Sequence, residues 1–260
     1  MTNHLDHVVQ LADVVRAWTV RTLRARYQQS ALGWLWVVIQ PVATVAIFTV
    51  VFTRFVRVDT GDVPYIVFSY TAVAPWALLA SALPDMASSL VTNLNLVTKI
   101  YFPRAALPLA AFAARVVDFA ISAVILVVLV LAYGIRPSFA WLVYLPVVFL
   151  VQAVLILGLG LGAAALNVYY RDVDPVLKLG IQIWFYASPI IYPVALVPQQ
   201  WHWLYFANPM AGVIESYRAV LLGGQAPGWN LVSAGALSLV AFVLGYGFFT
   251  RAEGRFADVI

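Results

Sequence analysis

The chain has 260 residues, of which 63% are hydrophobic and only 10% charged, with a mean hydropathy of +0.91 and a net charge of +4. A soluble domain carries roughly a quarter charged residues, so a water-facing globule is excluded and an integral membrane protein is expected. With no cysteine there is no disulfide and no thiolate metal site, and the three histidines, His4, His7 and His202, show no ligand spacing.

In chain order, residues 1–28 come first. His4, Asp6 and Asp13 interrupt this stretch and no apolar core follows, so it does not read as a secretory signal. Val8, Leu11, Val15 and Trp18 recur at helical spacing, with Asp6, Gln10, Asp13 and Arg24 opposite. That pattern predicts an amphipathic helix lying at headgroup level, either an anchor or a collar for a cytoplasmic partner.

Six segments are long and apolar enough to span a bilayer: about Trp34–Thr53, Tyr65–Leu83, Leu107–Ala132, Trp141–Leu166, Leu177–Leu196 and Leu231–Thr250. Strands of a barrel would alternate, and these do not, so all six are predicted helices. The fold class is therefore all-α, a single six-helix membrane domain over 1–260. Ten lysines and arginines fall on the side of the termini against four in the opposite loops, which predicts cytoplasmic termini.

Inside the first span, Gln40 precedes Pro41. The proline frees the carbonyl of Val37 and predicts a kink there. A freed carbonyl and a glutamine are tolerable only against protein or water. Gln40 is thus expected to face either a conduit or its own bundle. Trp34 and Trp36 read as interfacial anchors, or one of them as an entrance residue.

The loop 84–104, "PDMASSLVTNLNLVTKIYFPR", predicts a helix over Asp85–Ile100 that does not span, with Met86, Leu90, Leu94 and Val97 in helical register. It serves either as a surface helix or as a docking knob. In the third predicted span, Arg115 and Asp118 share a face at i, i+3 and neutralise each other. "NVYYRDVDP" closes the fourth span, with Arg171 and Asp172 expected to tie a rigid turn and Pro175 to help start the next helix. The segment 197–230 is too broken by Pro198, Pro209, Gly223, Gly224 and Pro227 to span. Within it Asn208 is a predicted N-cap, Pro209 the first helical residue, and Glu215 and Arg218 partners at i, i+3.

The sequence contains no G-x-x-x-x-G-K-[ST] phosphate loop, no H-E-x-x-H and no G-x-S-x-G. An ion-coupled carrier would need acidic groups at mid-membrane, and only Asp118 qualifies. A membrane glycosyltransferase would need clustered charges at one face, which the sequence does not offer.

Five stretches, "RYQQSALGWLWVVIQP", "LVTKIYFPR", "NVYYRDVDPVLKLGIQIWFYASPIIYP", "NPMAGVIESYRAVLLG" and "RFADVI", together resemble the permease subunit of ABC-2-type exporters of bacterial cell-surface polysaccharides. The resemblance runs along nearly the whole chain. It implies a homodimer in the bacterial cytoplasmic (inner) membrane, working with two copies of a separate ATP-binding subunit. That subunit would hold ATP and Mg, leaving no cofactor and no catalytic residue in this chain. The cargo implied is a lipid-linked glycan such as O-antigen or teichoic acid, with membrane lipids around it and no nucleic acid. A drug or small lipid is the alternative cargo.

The same resemblance makes 1–28 an interface helix, 84–104 a coupling-helix loop and 197–230 a re-entrant region. Leu94, Val97, Lys99, Ile100, Arg171 and Asp172 would then face the ATPase, and Asn208, Glu215 and Arg218 would build an exit lid. Aromatics make up 14% of the chain. Aromatic planes pack on sugar C–H faces and hold a glycan weakly enough to slide, as conduction requires. Trp34, Gln40, Phe48, Trp184 and Tyr186 are the candidate path residues, against a core-filling or lipid-facing role for each.

Overall fold

The computed structural model describes residues 2–28, 32–93, 102–254 and 256, with side chains from residue 11 onward. All regular structure among these residues is helical. The helices are α1 (Thr2–Tyr27), α2 (Leu35–Val50), α3 (Tyr65–Ser89), α4 (Ala106–Ala132), α5 (Phe139–Tyr169), α6 (Val173–Tyr186), α7 (His202–Tyr205), α8 (Pro209–Leu221) and α9 (Trp229–Glu253). A π-helical turn, Val51–Phe55, prolongs α2, and short 3-10 turns occupy Val91–Asn93, Val194–Leu196 and Gln199–Trp201.

Five of these are long and apolar enough to cross a membrane: Leu35–Phe55, Tyr65–Ser89, Ala106–Ala132, Phe139–Tyr169 and Trp229–Glu253. The stretch expected to form a span over Leu177–Leu196 differs. Its helix α6 has 14 residues and stops at Tyr186, too short to cross alone. Pro189 and Pro193 follow, and neither can donate to a continuing helix.

The bundle is built around α3. Its apolar window is 78% buried, against 11% for α2 and for α9. Three neighbours, α4, α5 and α2, pack along it, and α1 lies against α4. Alanines 106, 110, 111 and 114 of α4 are buried and let α1 and α3 come close. On α1, Leu11, Val15 and Trp18 are half-buried while Asp13, Arg16 and Val20 are exposed, as its amphipathic pattern requires.

The most extensive helix pair is α5 with α9. A methyl group on Gly245 would overlap the carbonyl oxygen of Gly158, and one on Gly158 would overlap the backbone of Phe242. Only glycine permits this approach of two backbones in lipid, where packing rather than water drives association. Polar side chains tie the other contacts. Gln152 donates to the Pro75 carbonyl at 2.7 Å and accepts from the Tyr217 hydroxyl at 3.1 Å, joining α3, α5 and α8. Asn167 donates to the Ala87 carbonyl at 3.0 Å.

That last bond marks a second difference from expectation. Residues 85–89 belong to the end of α3 rather than to a separate surface helix, and Met86 and Leu90 are fully buried. Pro84 sits inside α3 without ending it.

Candidate functional site

A cavity of about 330 Å³ opens between α2, α3, α4 and α6. Gln40 and Thr44 of α2 line it with Trp76, Ser81, Asp118, Ser122 and Phe185. Gln40 is exposed and its neighbour Pro41 is buried, so the proline packs inward and turns the amide outward. The Thr44 hydroxyl donates to the Gln40 carbonyl at 2.9 Å, an internal partner for backbone next to the proline. The helix runs through Pro41 from Leu35 to Val50.

Aromatic rings form the far wall. Trp76 meets Trp184 and Phe185 edge-on, with centroids 5.8 and 5.7 Å apart. Phe48 lies 6.0 Å from Phe185 and 6.0 Å from Phe52. Of the candidate path residues, Gln40 lines the cavity and Phe48 packs on its aromatic wall. Trp184 joins it as a fixed strut: its indole N–H donates to Asn208 Oδ1 at 2.7 Å. Trp34, 56% exposed, does not join, whereas the Tyr186 ring meets Phe185 edge-on at 5.3 Å from the outer side. Trp76, the residue at the centre of the wall, was missed in the sequence, where it stands in an unbroken apolar span.

At the basic end of the bundle the pair Arg115–Asp118 proves to be half of a larger lattice. Arg26 reaches Asp85 at 2.7 Å and Asp118 at 2.8 Å, and Arg115 reaches Asp85 at 2.7 Å and Asp118 at 3.2 Å. Two cations and two anions alternate, so each charge has two opposite neighbours. The Tyr27 hydroxyl donates to Asp118. Burial and then the Asp118 carboxylate push the Tyr27 phenol up to about 12. The lattice binds three helices, α1 through Arg26, α3 through Asp85 and α4 through Arg115 and Asp118.

On the opposite side α8 is capped as expected. Asn208 Oδ1 accepts from the Met210 amide at 3.0 Å, and Pro209 takes the first turn. Arg218 bonds Glu215 at 2.7 Å and the Ile190 carbonyl at 3.3 Å, and its guanidinium lies 3.6 Å from the Phe68 ring centroid. At 6% exposure it is a buried pin between α8, the head of α3 and the segment after α6.

Of the residues expected to face an ATPase, Leu94, Val97, Lys99 and Ile100 lie outside the described residues. Arg171 and Asp172 are exposed on the turn between α5 and α6. They make no ion pair with each other; the pair found nearby, Lys178 with Asp174 at 2.6 Å, lies within α6. One turn apart on α6, these two face each other, whereas adjacent residues do not. No group of three metal-ligating side chains occurs among the described residues.

Residues 13–222 match the ABC-2 type transporter family. The chain belongs to that family. This ABC-2 chain is 28% identical to the O-antigen export system permease protein RfbA of Klebsiella pneumoniae over 96% of both chains. It is 30% identical to the Myxococcus xanthus protein of the same description, over 92% of both. The polysialic acid transport protein KpsM of Escherichia coli is 23% identical over 92% of this chain and 93% of its own. The ABC-2 chain is thus a multi-pass membrane permease.

Proposed function

We propose that this chain is the membrane half of an ATP-driven exporter that carries a lipid-linked cell-surface polysaccharide across the bacterial inner membrane. The end-to-end match to polysaccharide export permeases carries the reading. The polar and aromatic cavity beside Gln40, Thr44 and Trp76 suits it, since hydroxyls need scattered polar partners and sugar faces need rings.

Two copies would form the conduit, with both termini cytoplasmic. Five long helices and α6 with the segment behind it would make six crossings, and α7 and α8 would re-enter from outside. Asn208, Glu215 and Arg218 hold α8 in place as an exit lid. A separate ATP-binding subunit, present twice, would bind ATP and Mg and act on Leu94, Val97, Lys99 and Ile100 and on Arg171 and Asp172. Gln40 and Phe48 would line the path, with Trp184 as a strut. Asp85 and Asp118 are each matched by two arginines, which leaves neither free to bind and release a coupling ion.

The test is export in a cell depleted of this chain. Long glycan accumulating inside, with surface display restored by the wild type but not by Leu94→Asp or Val97→Asp, is the expected result. Normal surface glycan in the depleted cell, with a drug or small lipid retained instead, would move the cargo to that other class.

A further inference from the structure

The underside of α1 encloses a polar pocket of about 360 Å³ against the adjoining ends of α3 and α4. It differs in kind from the aromatic cavity. Arg21, Thr22 and Arg26 come from α1, Ser88 from the end of α3, and Thr92 and Asn93 from the 3-10 turn after it. Asp85 also lines it. Asp85 is held by both Arg26 and Arg115, and Asp118 likewise, so the four-charge lattice is neutral within itself. Arg21 is different. It has no carboxylate within ion-pair distance among the described residues. Arg24, one turn away on the same helix, is also unpaired there and lines an adjoining hollow with Arg21. Among the described residues the pocket therefore carries uncompensated positive charge.

The Arg21 guanidinium is already oriented. It lies 4.4 Å from the centroid of the Trp18 ring, and its N–H groups have no partner among the described residues, so they remain for an acceptor. Thr22 is half-buried, and its hydroxyl has no hydrogen-bond partner among the described residues. Arg21 and Thr22 both line the pocket, and a guanidinium with a hydroxyl matches a tetrahedral oxyanion on an ester. An amphipathic helix lies at headgroup depth, and basic pockets between membrane helices take anionic headgroups.

We propose that the pocket between α1 and the ends of α3 and α4 binds a phosphate group, held by Arg21 and Thr22. At this depth its source is the headgroup of an anionic phospholipid. The site would seat α1 on the bilayer and on the bundle together. The inference rests on membrane-permease membership and not on the cargo.

The full chain, purified in a zwitterionic detergent, is titrated with phosphatidylglycerol, phosphatidylcholine or inorganic phosphate, and retained ligand is counted by native mass spectrometry. Phosphatidylglycerol should be retained over phosphatidylcholine. Retention should fall about tenfold in Arg21→Gln, the loss expected for a charged hydrogen bond, and stay unchanged in Arg136→Gln in the loop between α4 and α5. Arg21→Lys, which keeps charge without the fork, should fall in between, and Thr22→Val should weaken retention if Arg21→Gln does not fold. Retention of inorganic phosphate in the same variant order would keep the site and make its ligand a soluble phosphate. Equal retention of the two phospholipids, or variants that all bind as the wild type does, overturns the proposal.

Discussion

Asp85 shows what a single side chain decides here. Its carboxylate takes two arginines from two helices, at 2.7 Å each. Asp85→Asn leaves Arg26 and Arg115 sharing one carboxylate and should cost about 1–3 kcal/mol. Asp174→Asn, which breaks an exposed pair one turn apart on α6, should cost under about 0.5 kcal/mol. Thermal unfolding of both variants in the same detergent checks the contrast. Tyr27 adds a pH signature. Its phenol titrates near 10 when unfolded and about 12 when folded, so the native state keeps the proton longer. Stability from this group is full below pH 10 and declines as pH rises toward 12. Tyr27→Phe should flatten that part of the alkaline profile. The Arg115–Asp118 pair was legible from its spacing. Arg26 and Asp85 were not, because their partners are 92, 59 and 30 positions away and no local period reports such contacts.

Among the helices, those that must cross the membrane were read well and those that end inside it were not. Hydropathy found every long span, since length and apolarity are what a bilayer demands. It overran at α6 because Ala187, Pro189, Ile190 and Ile191 continue the apolar run while the prolines end the helix. It stopped α3 early because Pro84 and Asp85 read as punctuation, although the lattice shelters the acid and α3 continues to Ser89. The α5–α9 crossing was also silent, since glycines in an apolar span show no partner in sequence. Gly245→Leu should therefore do more damage than its mild chemistry implies, at about 1–3 kcal/mol for forced overpacking. Gly247→Leu, where a side chain meets nothing within 4 Å, should be tolerated. Folded yield and thermal midpoint of the two variants separate them.

Taken as a whole, the molecule has two unlike outer faces. On α9 the exposed residues Val232, Leu239 and Val243 are aliphatic, and hydrocarbon satisfies them. The other face, on α2 and α6, is not so uniform. Gln40 on α2 and Gln182 on α6 are exposed among apolar neighbours, and an amide facing lipid is costly. Such a face is stable where water or a second copy covers it, which places the axis of the proposed dimer along α2 and α6. The absence of native cysteine makes this directly measurable. Ile47 and Ile183, both 62% exposed, stand on α2 and α6. Ile47→Cys and Ile183→Cys, produced together in one membrane and oxidised, should give a dimer band. Val243→Cys on α9 should give none. A band from Val243→Cys with none from the first two would put the axis on the aliphatic face and leave Gln40 outside any conduit.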